Sequence, residues 1–515
     1  MKKLVVTSAA VAVVLAGASV VIAQTDRSGP PAATMTWSPC PEDDPIMEDY
    51  LAGLECGSLQ VPLDHSDPGG EQITLELTRA SHTVPPEEYQ GVVLVNRGLW
   101  PGAIGRDLPT RFADGSTGLP QEVGAAYDWI GFDPRGVGAS EPRVTCDPDY
   151  LYPEQARPDY VPHTAAQQQQ WLDRAEAFAD SCGSAYGDVL EHLGTKDTAH
   201  DLDLVRQALG EERISYLGYS YGTYLGSVYA SLYPDRVHRM VLDSVMGPGS
   251  IGYQGSLEQN VAFQERAGIW FDWIAGYDDV YQLGSTREEV EANYYRGMDM
   301  LRDAPIDGLI GAAEYNDVFI VNAYRTYIWS YHAGVLADWV LREDPSGLRD
   351  NYMPGDYPAQ NTYAMQAAIQ CRDSAWPREW QQWQDDHTSQ YEAGDRFMTW
   401  HNAWYNAPCA FWPVPADTPQ EIGADGVGML LLQAENDAAT PVAGAHEVHE
   451  LFPDSRFVLE RGGNFHGTSL TANANACMND WVAGYLRDGT LPDAADGPDA
   501  YCEASAPPEP DPETS

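Results

Sequence analysis

The pentapeptide Gly218-Tyr219-Ser220-Tyr221-Gly222 sets a serine between two glycines, and its neighbours give that spacing chemical meaning. A bare G-x-S-x-G recurs by chance in roughly one chain in four at this glycine content, so context decides. Here a β-type run, 214–217, precedes it and a small-residue helical stretch, 223–230, follows. Strand, sharp turn and helix force strained backbone angles on the serine and lift its oxygen above a sheet. The glycines let strand and helix pass without a side-chain clash. The helix start favours negative charge developing nearby. The chemistry implied is nucleophilic attack by Ser220.

A serine nucleophile needs a base for its proton and a carboxylate to orient that base. Twelve histidines compete. His466 lies in Arg461-Gly462-Gly463-Asn464-Phe465-His466-Gly467, a glycine-bounded loop after the last core run. Loops at the carboxyl ends of strands are where a sheet-based site collects its groups. His446 and His449, in His-Glu-Val-His-Glu, lack the H-E-x-x-H spacing of a zinc site and read as a solvated helix face. The acid should follow the preceding β-run, where Glu435 and Asp437 both stand. Asp437 precedes the Thr440-Pro441 pair that should open a helix, and is favoured. The order Ser220, Asp437, His466 is the one expected on an α/β-hydrolase sheet.

Two backbone N–H groups must meet the oxyanion. Tyr221, just after the nucleophile, supplies one. The other is expected from the loop 96–105, where Pro101 has no N–H, leaving Trp100 or Leu99 as donor. No metal cluster and no cofactor motif is visible.

The elements that must position these groups alternate. Buried-type β-runs at 91–96, 128–133, 214–217, 240–243, 429–433 and 456–459, separated by helical stretches, predict a mostly parallel sheet with helices on both faces. The pattern breaks over 249–412, which holds ten of the fifteen tryptophans and few β-runs. It predicts a mainly helical insertion, with aromatics serving chiefly as its core. The domain reading is therefore a signal peptide at 1–23, core at 35–248, helical lid insertion at 249–412, core again at 413–502, and a disordered acidic tail at 503–515.

Lys2-Lys3, an apolar run to about residue 22 and Val21-Ile22-Ala23 form the secretory signal; an uncleaved membrane anchor is the alternative. Export, to the outside or the periplasm, suits eight cysteines, an even number. Metal binding would need C-x-x-C spacing, which is absent. Short loops close most easily, which favours Cys40–Cys56, Cys146–Cys182, Cys371–Cys409 and Cys477–Cys502. The net charge of −48 argues against nucleic acid or anionic membrane as partner. It also predicts self-repulsion that salt relieves.

Taken with Thr195-Lys196-Asp197-Thr198-Ala199, Asp133-Pro134-Arg135-Gly136-Val137-Gly138-Ala139-Ser140, Tyr233-Pro234-Asp235-Arg236-Val237 and Ala368-Ile369-Gln370-Cys371-Arg372-Asp373, these motifs resemble the secreted tripeptidyl aminopeptidase-like α/β-hydrolases of bacteria, relatives of prolyl aminopeptidases. The resemblance runs from about residue 37 to 502. It implies an α/β-hydrolase fold, hydrolysis of peptides from a free N-terminus through a Ser220 acyl-enzyme, and a lid admitting short unblocked chains. It also implies a carboxylate near the substrate's α-amino group, for which Asp373 and Glu435 are the candidates. One loop departs from the family's N-x-G-G-P-G-G-S-G: Leu99-Trp100 replaces the second glycine and Ala103-Ile104 replaces Gly-Ser. Bulk there bears on pocket width and donor position. A carboxylesterase with the same triad, and an inactive binding protein, are the competing readings. The expected partner is a peptide or small ester, met by a monomer without cofactor.

Overall fold

Val92 and Leu94 pack into one apolar cluster and Val93 and Val95 into another, the two-residue alternation of a strand buried on both faces. The same division splits Tyr216 from Leu217 and Leu431 from Leu430 and Leu432. These runs are the centre of the sheet. The computed structural model describes residues 35–510 apart from 45, 48, 49, 99, 100, 152 and 472. The proposed signal at 1–23 lies outside them, as does Trp100.

Ten strands are described: β1 (Ser38–Pro39), β2 (Glu55–Pro62), β3 (Gln72–Ala80), β4 (Val92–Asn96), β5 (Asp128–Asp133), β6 (Ile214–Tyr219), β7 (Val237–Asp243), β8 (Leu430–Ala434), β9 (Arg456–Arg461) and β10 (Ala500–Glu503). Their order is β1-β2-β3-β5-β4-β6-β7-β8-β9-β10. The first three join β5 antiparallel. From β5 onward every pairing is parallel. The order in which strands are added reverses between β4 and β6, and crevices beyond the carboxyl ends at such a switch point are where ligands bind in α/β sheets.

Helices α1 (Thr195–Ala208) and α2 (Tyr221–Leu232) pack on the first face, through Leu202, Val205, Leu225 and Val228. Met478, Val482 and Leu486 of the helix Ala476–Asp488 cover the other. Between β7 and β8 the chain is helical, with α3 (Tyr253–Ala275) and α4 (Tyr357–Asp373) its two longest helices. This insertion has its own apolar cluster, including Trp270, Phe271, Tyr294 and Trp329. Stacked indoles join it to the core, where Trp404 meets Trp171 at 5.6 Å, and within the insertion Trp404 also stacks on Trp380 at 4.6 Å. Each such pair contributes about 0.5–1.5 kcal/mol beyond area burial.

The eight cysteines form the four expected disulfides, Cys40–Cys56, Cys146–Cys182, Cys371–Cys409 and Cys477–Cys502. Among the described residues no helix is long and apolar enough to cross a membrane. The tail departs from expectation. Glu503 ends β10, the Ala504 N–H donates to the Arg461 carbonyl at 3.0 Å, and Trp273 Nε1 donates to the Pro508 carbonyl at 3.0 Å. Pro507, Pro508 and Pro510 bring no N–H to satisfy, so the end of this stretch can lie along the insertion through its carbonyls. Residues 511–515 lie outside the description.

Candidate active site

The carboxyl ends of β4, β6, β7, β8 and β9 converge on one place. Ser220 stands between β6 and α2 with φ 53° and ψ −124°, a left-handed φ that costs a non-glycine residue about 1–3 kcal/mol. Its N–H donates to the Asp243 carbonyl at 3.0 Å, and its own carbonyl accepts from Thr223 N–H at 2.9 Å. The turn is packed tightly. A Cβ on Gly218 would fall 2.5 Å from the Gly222 carbonyl oxygen, and one on Gly98, at φ +70°, only 1.5 Å from the Tyr219 carbonyl oxygen. The β4 loop thus presses glycine backbone against the serine turn.

Asp437 follows β8 and is buried. It accepts hydrogen bonds from the N–H groups of Ala439 (3.0 Å) and Thr440 (3.1 Å), from Thr440 Oγ1 (2.9 Å) and from His466 Nδ1 (2.8 Å). Burial alone would raise its carboxyl pKa, but the His466 imidazole and the Thr440 donors bring it below the ordinary value. Donation from Nδ1 leaves Nε2 as the basic nitrogen of the neutral ring. Among the described residues His466 Nε2 has no hydrogen-bond partner. Ser220 and His466 line one cavity of about 720 Å³.

The histidine loop is pinned from beneath by Asp243, the last residue of β7 and fully buried. Its carboxylate accepts from Thr468 N–H (2.8 Å) and Oγ1 (3.0 Å) and from Ser469 N–H (2.7 Å) and Oγ (2.6 Å). Neither Asp243 nor Thr440 emerges from the sequence as a site residue, although Asp243 closes a recognisable β-run. Tyr221 opens α2, so its N–H is among those a helix start leaves without an intrahelical partner. Trp100 and Leu99, proposed for the second donor, are outside the described residues, while Pro101, Ala103 and Ile104 line the cavity.

The two candidates for an amine-binding carboxylate separate. Asp373, at the end of α4, lines the cavity. Burial pushes its carboxyl up to about 7, against hydrogen bonds from Thr195 and with Asp197 and Asp417 adding to the rise. Thr195 N–H donates to it at 2.8 Å, and Thr195 Oγ1 bonds both to it and, at 2.6 Å, to the Tyr221 hydroxyl. Glu435 is corrected: it is exposed, does not line the cavity, and accepts from Gly462 N–H at 2.7 Å. A carboxylate that sequence reasoning passed over, Asp317, lines the cavity, ion-paired to Arg157 and 3.0 Å from the Tyr160 hydroxyl. His446 and His449 are half-buried rather than solvated, their rings 5.1 and 6.1 Å from Phe457.

The sheet, its helices on both faces and the convergence of β6, β8 and β9 loops are those of an α/β-hydrolase, and the chain is a serine hydrolase of that class. The family model described as TAP-like protein matches residues 396–502. Tripeptidyl aminopeptidase of Streptomyces lividans is 38% identical over 505 residues, 96% of this chain and 90% of its own. Serine protease Hip1 of Mycobacterium tuberculosis H37Rv is 30% identical over 519 residues, 94% and 95% of the two chains. Carboxylesterase B of M. tuberculosis CDC 1551 is 29% identical over 495 residues, 90% and 89%. The chain belongs to the tripeptidyl aminopeptidase family.

Proposed function

We propose that this protein is an exported aminopeptidase that removes short peptides from free N-termini through an acyl-enzyme on Ser220. His466 Nε2 takes the serine proton as the hydroxyl attacks the scissile carbonyl, then returns it to the leaving amine. Asp437 holds the ring in the required tautomer and stabilises the imidazolium. The Tyr221 N–H meets the oxyanion, with a second donor from residues 99–100. Water, activated by the same histidine, releases the peptide. The helical insertion, 249–412, acts as the lid over the cavity, and Asp373 receives the substrate's α-ammonium. Four disulfides with no free cysteine suit an oxidising compartment outside the cytoplasm.

The observation that carries this reading is the His466–Asp437 pair and the strained Ser220 opening into one cavity that also holds the Asp373 carboxylate. The test compares an unblocked tripeptide anilide with a short-chain nitrophenyl ester. Turnover of both, abolished in Ser220→Ala, is expected. Ester turnover without release from the peptide would replace the aminopeptidase with the esterase that one relative's name denotes.

A further inference from the structure

Gln259, Phe263 and Arg266 stand four and three residues apart in α3, on one helix face. All three reach toward the loops that carry Asp437 and His466. Gln259 Nε2 donates to the Ala439 carbonyl at 2.6 Å, two residues beyond Asp437. Arg266 Nη2 donates to the Asn464 carbonyl at 2.6 Å, two residues before His466. Phe263 packs against Tyr324 with ring centroids 5.5 Å apart. The Tyr324 carbonyl accepts the His466 backbone N–H at 2.9 Å, and its ring stands edge-on to the imidazole at 5.5 Å. Both loops are therefore held from the insertion side.

Arg266 is the unusual member. It is 1% exposed, has no ion pair, and its Nε and Nη1 have no hydrogen-bond partner among the described residues. Its guanidinium lies over the Trp329 ring at 4.6 Å. Burial pushes its pKa down to about 9, opposed by the charge of Asp437. A buried cation this poorly partnered is costly. Its one strong charge neighbour is the acid of the acid–base pair.

We propose that α3 is the element that positions the acid–base pair, and that Arg266 is its positioning residue: it fixes the Asn464–His466 backbone and sets a buried positive charge near Asp437 that competes with an imidazolium for its carboxylate. The inference rests on the triad reading above. It carries a consequence for the lid: lifting α3 from the core releases both loops, so an open insertion is a disarmed enzyme. The groups facing the pair are Arg266 from α3, Tyr324 from the segment after the helix Ala312–Ile320, its hydroxyl held above the ordinary range by burial and Asp437, Arg325 along the cavity wall, and Asp243 of β7 beneath the histidine loop.

The test is the rate at which a small fluorophosphonate labels the full-length protein, followed across pH. This readout needs the base but no peptide. In Arg266→Met the loss of a buried positive charge near Asp437 favours the imidazolium, so the acid limb should move to higher pH. Arg266→Lys loses the guanidinium fork that holds the Asn464 carbonyl, so its plateau should fall. Gln259→Leu should lower the plateau about threefold or more without moving the limb. A limb that stays in Arg266→Met overturns the field effect. Wild-type plateaus in Gln259→Leu and Arg266→Lys overturn the positioning role, even if Arg266→Met does not fold. A wild type that is not labelled at all sinks the triad reading and this inference with it; a labelled wild type with unchanged variants sinks this inference alone.

Discussion

Replacing Asp373 by asparagine tests the amine-binding role on two independent axes. A half-buried carboxylate bonded to an ammonium contributes about 2–3 kcal/mol. Its loss should lower kcat/KM for an unblocked tripeptide anilide by about 30- to 150-fold. An N-acetylated anilide or a short nitrophenyl ester, which offers no ammonium, should change by less than about threefold. The pH dependence has a definite sign. Asp373 titrates at about 7 in the folded chain, well above the ordinary carboxyl value, because burial disfavours its charge. Binding of a free amine to wild type should therefore strengthen as pH rises through 7, where the group ionises. Stability runs the other way. A carboxyl whose folded pKa is raised contributes stability that is complete below pH 4 and is lost as pH rises through 7. The gap of about three units caps that loss near 4 kcal/mol, and solvent reaching the cavity reduces it. Asparagine cannot ionise, so Asp373→Asn should melt higher than wild type at pH 8 and equal to it at pH 4. Equal losses on blocked and unblocked substrates would falsify the amine-binding role, and identical melting at both pH values would refute the burial argument behind it.

Ser220→Ala should abolish fluorophosphonate labelling and reduce kcat by about 10⁶, while Asp437→Asn, which strands the wrong imidazole tautomer, should reduce it by about 10⁴; a milder Asp437→Asn would point to another orienting group. Gly98→Ala puts a methyl on the Tyr219 carbonyl at a left-handed φ, so urea unfolding should show a loss of about 3 kcal/mol or more together with lost labelling; an unchanged midpoint would mean that the β4 loop does not press on the serine turn. With a net charge of −48, melting temperature should climb between low salt and about 1 M sodium chloride as repulsion is screened; a flat titration would leave the acidity without a stabilising role for salt.

How much was legible follows from how local each signal is. The serine turn is written into five residues plus its flanking strand and helix, so Ser220 and its strained φ could be anticipated. Asp437 and His466 lie just past buried β-runs, and the parallel sheet gathers such loops at one edge. The disulfides pair cysteines 16 to 38 positions apart, so short-loop closure sufficed. Asp243, by contrast, acts on Thr468 and Ser469 across 225 positions, and Arg266 on Asn464 across 198. Nothing near either residue announces its partner. Glu435 competes in the sequence because it sits two residues from Asp437, the carboxylate that bonds His466. The chain turns between them, Glu435 faces solvent, and Gly462 N–H takes up its carboxylate. The tail misled through composition: proline and acid suggested disorder, but a segment short of N–H groups is well suited to lie along Trp273.

One residue joins substrate reading to catalysis. The Tyr221 backbone N–H is the proposed oxyanion donor, while its hydroxyl bonds to Thr195 Oγ1, which bonds in turn to Asp373. Under the proposed mechanism the amine is bound at one end of this chain and the transition state at the other. With Asp373 neutral, Thr195 is free to donate either way along the chain; with Asp373 ionised by a bound ammonium, Thr195 donates to it and the Tyr221 hydroxyl must donate to Thr195. Amine binding therefore orders the residue that carries the oxyanion donor. Interaction energy gained at the N-terminus is then expressed in the transition state and raises kcat, rather than only lowering KM. Thr195→Val, which leaves Asp373 in place but cuts the chain, should lower kcat on unblocked peptides more than it raises KM; an effect confined to KM would show that the two ends work independently.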